Sequence, residues 1–469
     1  MNKFLLLVSV LFLLISCQTK KKPNVILFLV DDMGWTDPAC FGSDLHQTPN
    51  IDKLASKGYL FTNSYSSCNV CSPTRASIMT GKSPARLHLT DWIEGHKYPW
   101  AKLNVPDWNM KLDQQEYTMA EAFKEAGYVT AHFGKWHLGE TEEYWPENHG
   151  FDLNVGGWSK GAPRRDKKLG YDGYFSPFGN PRIKDEQEDE YLTEYLSKRV
   201  CNYIKAQKSS EQPFFINFWL YNVHTPLQAR AEKVAKYQEL LKEDGHHKNA
   251  TYAAMVEYTD EAMGAVLQAL QAANLDENTI ILFSSDNGGL IGKGKNKVTN
   301  NAPLRNGKGT MYEGGTRIPT VLYVPNALDS TKVISTPVIS MDYFPTLAGL
   351  TNISLNNTLD GMDWTPLFKD EPINREALYW HYPHYHQQGG VPHSIIRKGD
   401  WKLIQNFETD SFELYNLSED ISEANNLIEI HAGIAKDLLS DLKNWQQEVG
   451  AQFPTVNADF NPKKRLRKK

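Results

Sequence analysis

The residues Asn24-Val-Ile-Leu-Phe-Leu-Val30 form an unbroken apolar run that stops at Asp31-Asp32. A strand apolar on both faces must be covered on both faces, which places it inside a parallel sheet flanked by helices. Similar runs recur at 128–133, 213–221, 279–284 and 320–324. Helical segments alternate with them. One is opened by Thr48-Pro49 and closes near Gly58, where a cap residue and an early proline mark the start. Helical periodicity is strongest over 251–273. This alternation predicts a large α/β domain with a mostly parallel sheet. In such sheets ligand sites lie beyond the carboxyl ends of the strands. Polar residues gather there: Asp31 and Asp32 after the first run, Lys135 and His137 after the second, His224 after the third, Asp286 and Asn287 after the fourth. Any one of these reads as a loop residue or a helix cap. Their recurrence at one sheet edge predicts a site.

The two ends of the chain read differently. Residues 1–16 hold one cation, Lys3, then an apolar run over 4–15, and Ser16 directly precedes Cys17. A spanning helix needs roughly 20 apolar residues, so this run is a secretory signal rather than a membrane span. Leu14-Ile15-Ser16-Cys17 resembles the bacterial lipobox, whose cysteine becomes the acylated first residue. Residues 17–23 would then be a lipid-anchored tether, and the protein a cell-envelope lipoprotein facing the periplasm. Cleavage before Cys17 takes the formal charge from −6 to −7. Residues 24–370 carry the α/β pattern. Over 371–460 the texture changes to short alternating strands at 377–382, 394–397 and 401–406, then a helix over 430–449, which predicts a smaller α+β subdomain. Residues 461–469 hold six Lys or Arg and no acid, a solvated tail. With 50 Lys+Arg against 56 Asp+Glu and 23% charged residues, the chain is neither a uniformly basic nucleic-acid binder nor a disordered acidic polymer. Five cysteines are too few for a disulfide scaffold. With Cys17 acylated and Cys71 modified, at least one of Cys40, Cys68 and Cys201 is left unpaired.

The segment Cys71-Ser-Pro-Thr-Arg75-Ala-Ser-Ile-Met-Thr80-Gly81 places a cysteine at a helix start, with proline two residues on and arginine one turn on. A thiol so placed faces a positive helix end and a guanidinium together, which suits an activated nucleophile or a bound anion. The plainer alternative is a buried cysteine at a helix cap.

This segment resembles the signature of the type I sulfatases, Cys-x-Pro-Ser/Thr-Arg followed by a small-residue helix and Thr-Gly. The resemblance extends over most of the chain after the leader. Residues 24–34 look like the family's first strand with its paired metal-binding aspartates, and Gly134-Lys135-Trp136-His137-Leu138-Gly139 looks like its Gly-Lys-Trp-His-Leu-Gly element. Ser285-Asp286-Asn287-Gly288, Gly307-Lys308-Gly309-Thr310 and Glu313-Gly314-Gly315 complete the set in the family's order. The resemblance implies an alkaline-phosphatase-like fold, sulfate-ester hydrolysis, and conversion of Cys71 to formylglycine (3-oxoalanine) by a dedicated formylglycine-generating enzyme. A thiol attacking sulfur would leave a stable adduct. A hydrated aldehyde has two hydroxyls, one to attack and one to collapse and expel sulfate. The resemblance also implies one Ca²⁺ held by Asp31, Asp32, Asp286, Asn287 and residue 71. Those four side chains offer only oxygen, which suits a hard cation and disfavours zinc, with Mg²⁺ as the competitor. Lys135 and Lys308 would clamp the sulfate oxygens. Arg75 and His137 would orient the nucleophile, His137 taking a proton, and His224 would protonate the leaving oxygen.

The run Leu89-Thr90-Asp91-Trp92-Ile93 looks like that of polysaccharide sulfatases acting on galactose-type sugars. The expected substrate is therefore a sulfated carbohydrate, with a 4-O-sulfated galactose or N-acetylgalactosamine unit. Asp91, Trp92 and His384 are the candidate contacts, with His96, His381, His386 and His393 beside them: a carboxylate or imidazole can bond a hydroxyl while the indole packs on the sugar. The competing account makes Trp92 core and the histidines loop residues. A phosphatase or phosphodiesterase of the related fold is the rival enzyme, disfavoured by a cysteine where those enzymes use Ser or Thr and by a single oxygen-only metal set. A silent sulfated-glycan-binding lipoprotein would need a gap in the constellation, and none is present. Setting the six tail cations aside takes the −7 of the mature chain to −13, an odd balance for a protein that attracts polyanions. The tail can raise encounter rates. Deleting residues 463–469 is expected to lower kcat/KM on a polysulfated substrate at low salt, with the difference vanishing at high salt. Equal rates at low salt would make the tail idle.

Overall fold

The run Asn24–Val30 becomes a central strand, β1, buried along its whole length. The structure, a computed structural model, describes residues 21–95, 97–292, 294 and 297–464. The expected leader, Cys17, His96 and the tail from residue 465 lie outside the described residues. β1 pairs in parallel on both sides, as a strand with no polar face must. The other strands of the sheet are β2 (Tyr59–Phe61), β3 (Val129–Gly134), β4 (Leu153–Val155), β5 (Phe214–Trp219), β6 (Thr279–Ser285), β7 (Thr320–Tyr323) and β8 (Lys332–Ile334). They lie in the order β8-β2-β7-β6-β1-β5-β3-β4. Only β7 runs against its neighbours, so the sheet is mostly parallel, as expected. The long apolar runs are β1, β3, β5, β6 and β7. Strands β2, β4 and β8 span three residues each and leave no such run.

Helices cover the sheet: α1 (Pro49–Ala55), α2 (Cys71–Thr80), α3 (Leu192–Ala206) and α4 (Ala250–Ala273), with α3 and α4 packed together. Asn249 opens α4 through its side-chain oxygen, which accepts from Tyr252 N at 3.0 Å. At α1 the cap comes from a distance. The Thr48 side chain makes no cap bond. Instead Asp260 of α4 accepts from Asn50 N and Ile51 N at 2.9 and 2.8 Å. A helix end is thereby pinned to a neighbouring helix by the groups it must satisfy in any case.

The C-terminal part is a four-stranded antiparallel sheet of β9 (Leu378–Tyr382), β10 (His393–Lys398), β11 (Trp401–Asn406) and β12 (Ser411–Asn416), with helix α5 (Ala432–Glu448). β12 carries too few apolar residues to announce itself in the sequence. One sheet face takes Ala435, Leu438 and Leu442 of α5 against Ile396, Leu403 and Leu414. The other buries Trp380, Ile395 and Ile404 with Tyr65 and Ile339 of the larger part. A charged core crosses this seam: Lys402 donates to Glu313 Oε1 at 2.9 Å and to Glu423 Oε1 at 2.7 Å, and these side chains are at most 2% exposed. Tyr65 donates to Glu313 Oε2 at 2.6 Å. Lys402→Met strands two buried carboxylates and is expected to cost about 3–5 kcal/mol, read as a fall in the denaturant midpoint. A cost below about 1 kcal/mol would mean that the nearby arginines suffice.

Candidate active site

Strand register builds the floor of the site. Val30 pairs with Ser285, so Asp31 and Asp286 leave β1 and β6 side by side. On the other flank Leu29 and Gly134 both align with Trp219, which brings Lys135 alongside. Main-chain bonds hold this edge: Asp31 N donates to Asn222 O at 2.8 Å, Asp286 N to Val30 O at 3.1 Å, and Lys135 N to Trp219 O at 2.7 Å. Gly134 has φ 102°, and a Cβ there would sit 1.9 Å from Trp219 O, so only glycine fits. Asp32 and His137, both buried, take φ 62°. Non-glycine residues in this left-handed region are strained and persist where their surroundings over-determine them, which is common at functional sites.

Three cation–carboxylate pairings then interlock, with a histidine beside them. Lys135 Nζ donates to Asp31 Oδ2 at 2.7 Å, Lys308 Nζ to Asp32 Oδ1 at 2.5 Å, and Arg75 Nε to Asp286 Oδ2 at 2.9 Å. His224 Nε2 stands 3.7 Å from Asp32 Oδ2. Burial, reinforced by Asp286 and Asp32 against the pull of Lys135, holds the Asp31 carboxyl well above the usual range. Burial acts the same way on Asp32, but Lys308, His224 and Lys135 overcome it and hold that carboxyl low. Against the effect of burial, Asp32 raises the Lys308 ammonium. Three oxygens remain buried without a hydrogen-bond partner: Asp31 Oδ1, Asp32 Oδ2 and Asn287 Oδ1. The Asn287 amide is fixed with its nitrogen on Asp32 Oδ1 at 2.8 Å, which leaves its oxygen over. Donor atoms of Asp31, Asp32 and His224 lie within 4.8 Å of one another. Orphaned buried oxygens beside three carboxylates fit a hard divalent cation.

Cys71 is the first residue of α2, and all ten residues of that helix are buried. Its Sγ lies 3.4 Å from His137 Nδ1. His137 Nε2 is 3.2 Å from the Ile93 carbonyl. That carbonyl can only accept, so Nε2 carries the proton and Nδ1 faces residue 71 with a lone pair. Burial, then Lys135 and Arg75, pushes the imidazole well below its usual pKa and keeps it neutral. Arg75 is committed to Asp286 and to the Lys135 carbonyl at 3.2 Å, so its influence on Cys71 is through its charge. Cys40, Cys68, Cys71 and Cys201 are all free thiols.

Above this floor opens a cavity of about 450 Å³ lined by Asp32, Cys71, His137, His224 and Lys308 and, higher up, by Trp92, Lys160, Arg164, Arg165 and His386. Lys135 is fully buried behind Asp31 and does not reach the cavity wall. The residues expected at a sugar subsite are separated. Trp92 lines the cavity, whereas Asp91 and His384 do not. Asp91 is buried and accepts from Tyr382 Oη at 2.8 Å. His384 is buried with Nε2 2.8 Å from Thr90 Oγ1 and its ring against Trp108. His381 bonds Ser394 and Gln452, and His393 bonds the Val391 carbonyl. Of the histidines at 381, 384, 386 and 393 only His386 meets the cavity. The two arginines of the upper wall sit in the Gly161-Ala162-Pro163-Arg164-Arg165 segment, where a pair of arginines beside Gly and Pro is the one available signal.

Lysine charge at the floor can hold an anionic ester, and a neutral imidazole against the thiol at the helix start can take a proton from it, an arrangement that suits a hydrolase of anionic esters. A protein-family model described as Sulfatase matches residues 23–353, and the chain belongs to that family; it is a sulfuric ester hydrolase. A model described as N-sulphoglucosamine sulphohydrolase, C-terminal, matches residues 306–448. The chain is 33% identical to a sulfatase of Formosa agariphila over 89% of this chain and 87% of that one. It is 30% identical to the N-acetylgalactosamine-6-sulfatase of Homo sapiens over 76% of this chain and 68% of that one. The crystal structure of Ps i-CgsB in complex with k-i-k-neocarrahexaose superposes with a TM-score of 0.76 at 28% identity, covering 94% of each chain.

Stripping divalent cations with a chelator is expected to lower Tm, and calcium or magnesium at roughly 100 times Kd should restore about 2.7 kcal/mol. Asp286→Asn should abolish the response. A melting curve unmoved by chelation would remove the cation from the floor.

Proposed function

We propose that the protein hydrolyses O-sulfate esters on galactose-type units of a sulfated glycan, with residue 71 as the nucleophile and the 4-O position as the first to test. The observation that carries this reading is Cys71 Sγ at the cavity floor, 3.4 Å from the unprotonated nitrogen of His137 and in the same pocket as Lys308. Converted to formylglycine by a dedicated enzyme, residue 71 would supply a hydrated aldehyde, with one hydroxyl to attack sulfur and one to release sulfate. Ca²⁺ on Asp31, Asp32, Asp286 and Asn287 would supply Lewis acidity toward the sulfuryl oxygens.

The chain's own residues then divide the work. Lys308 meets the sulfate oxygens from the cavity wall, and Lys135 offsets the charge of Asp31 beneath them. His137 Nδ1 accepts a proton from the group at residue 71, and the Ile93 carbonyl keeps it in the right tautomer. His224 Nδ1 donates to the Thr225 carbonyl at 2.7 Å, which turns Nε2 toward the ester oxygen. Burial, with Lys308 and Lys135, pushes this imidazole down to about 3. An anionic ester bound between them reverses that electrostatic balance and lets Nε2 carry the proton for the leaving oxygen.

Trp92 offers a ring to a sugar face. At the upper wall Lys160 pairs with Glu94, and Arg165 stands 3.7 Å from Asp172. Among the described residues no carboxylate pairs with Arg164, which packs 4.5 Å from the Tyr171 ring centroid. Its charge is therefore available to a second anionic group of the glycan. The relative named N-acetylgalactosamine-6-sulfatase and the k-i-k-neocarrahexaose complex of Ps i-CgsB support a sugar sulfate. The lipobox at residues 14–17 supports a lipid-anchored, periplasm-facing location.

Mass spectrometry of the peptide containing residue 71, from a host with the modifying enzyme, should find an aldehyde in place of the thiol, and Cys71→Ala should abolish turnover. An active preparation carrying only thiol would sink the mechanism. On oligosaccharides sulfated at the 4-O or 6-O position, Arg164→Gln is expected to lower kcat/KM about 10- to 100-fold for disulfated units and little for monosulfated ones. Equal losses on both would remove Arg164 from a second anion subsite.

A further inference from the structure

The reaction leaves unused a second buried group, Asp37, His46 and His247, with side chains 0%, 1% and 4% exposed. Asp37 and His46 lie on the loop that follows Asp31-Asp32, and His247 lies just before α4. A donor atom from each lies within 4.8 Å of the others. Asp37 Oδ1 is 3.4 Å from His247 Nε2 and 3.6 Å from His46 Nδ1. Charge-assisted N–H···O bonds are typically about 2.7–2.9 Å, so these are not good hydrogen bonds. His247 Nε2 is buried and has no hydrogen-bond partner among the described residues.

The other polar atoms around it are held. His247 Nδ1 is 2.7 Å from Asp44 Oδ1, and Asp44 is fixed by the backbone N–H groups of His246 and His247 at 2.5 and 3.2 Å. The Asp37 carboxylate accepts from Gly34 N at 2.6 Å, Tyr252 Oη at 2.5 Å and Thr299 Oγ1 at 2.7 Å. His46 Nδ1 is 2.9 Å from the Asp37 carbonyl, which can only accept, so without an ion Nδ1 donates there and a cation bound at Nδ1 displaces that proton. An imidazole whose far nitrogen is anchored to a carboxylate, with its near nitrogen free, is how metal-ligating histidines are oriented.

We propose that Asp37, His46 and His247 form a second metal site, for a zinc-like divalent cation. Bonds of roughly 2.0–2.2 Å in a tetrahedron place neighbouring donors roughly 3.3–3.6 Å apart, which matches the Asp37 spacings. Two nitrogens and a carboxylate oxygen suit a borderline cation, in contrast to the oxygen-only set at Asp31, Asp32, Asp286 and Asn287. The ion staples the loop that carries the catalytic aspartates to the start of α4. Tyr252 spans the two sites, since its hydroxyl reaches Asp37 Oδ2 and also lies 3.4 Å from the Asp32 carbonyl. The competing occupant is a proton, with His247 as an imidazolium between Asp37 and Asp44.

The full chain, equilibrated with Zn²⁺ and desalted, is expected to hold one tightly bound zinc by elemental analysis, retained in Asp286→Asn and lost in His247→Gln and in His46→Gln. Asp44→Asn keeps the three ligands and should weaken zinc binding by about 10–100-fold. Cobalt(II) titrated into the wild-type protein should give intense tetrahedral absorption bands without thiolate charge transfer, a readout that stands even if a variant fails to fold. Wild-type protein that retains no zinc, or equal zinc in wild type and His247→Gln, overturns the site in favour of the proton-bridged reading. Cobalt bands of octahedral type overturn the tetrahedral geometry on which it rests.

Discussion

Asp31, Asp32 and Asp286 are carboxylates taken wholly out of water at the end of one sheet. A buried charge left alone is among the most costly features a fold can contain. The chain meets this by sending a cation from a different segment to each: Lys135 from the end of β3, Lys308 from the loop before Glu313, and Arg75 from the first turns of α2. None of these segments is near the others in sequence. The electrostatic demand of the floor therefore fixes how far-apart stretches of chain meet, and residue 71 is delivered to the cavity by the same helix that delivers Arg75.

The C-terminal sheet belongs to this arrangement rather than standing beside it. Glu313, five residues beyond Lys308, is held by Lys402 of β11 and by Tyr65, and its own N–H donates to Glu423 at 2.7 Å. The segment that presents Lys308 is thus braced from behind by a second set of buried charges. The same segment touches the cavity wall, since a Cβ on Gly309 would collide with the His386 ring. Floor, brace and rim are joined through one short loop.

Much of this was legible in the sequence, for a physical reason. Asp31, Lys135 and Asp286 each follow closely on an apolar run, so the strand and the residue that ends it are read together, as with Val30 and Asp31 or Ser285 and Asp286. Strand direction was not legible: β7 is buried whichever way it runs. The sequence suggests a local cap for α1, yet the cap comes from Asp260, some 200 positions away, because helix-end N–H groups donate to any well-placed oxygen. The cavity wall was the least legible part. His384 and His386 are two residues apart in an irregular stretch, and no periodicity tells which side chain turns inward. Arg164 lies in a Gly/Pro loop, where position depends on packing rather than on pattern.

Every residue of α2 from Cys71 to Thr80 is buried, and Cys71 itself is 4% exposed. Nothing the size of an enzyme can grip that stretch as an extended peptide once the helix has docked. Were residue 71 converted by another protein as proposed, that step would have to finish before the chain closes, in a race between catalysed modification and folding. A chain that folded first would then keep its thiol, and no later encounter could rescue it without unfolding. The yield of working protein would then depend on how fast the molecule matures at birth, and a more stable fold would make an early mistake more permanent.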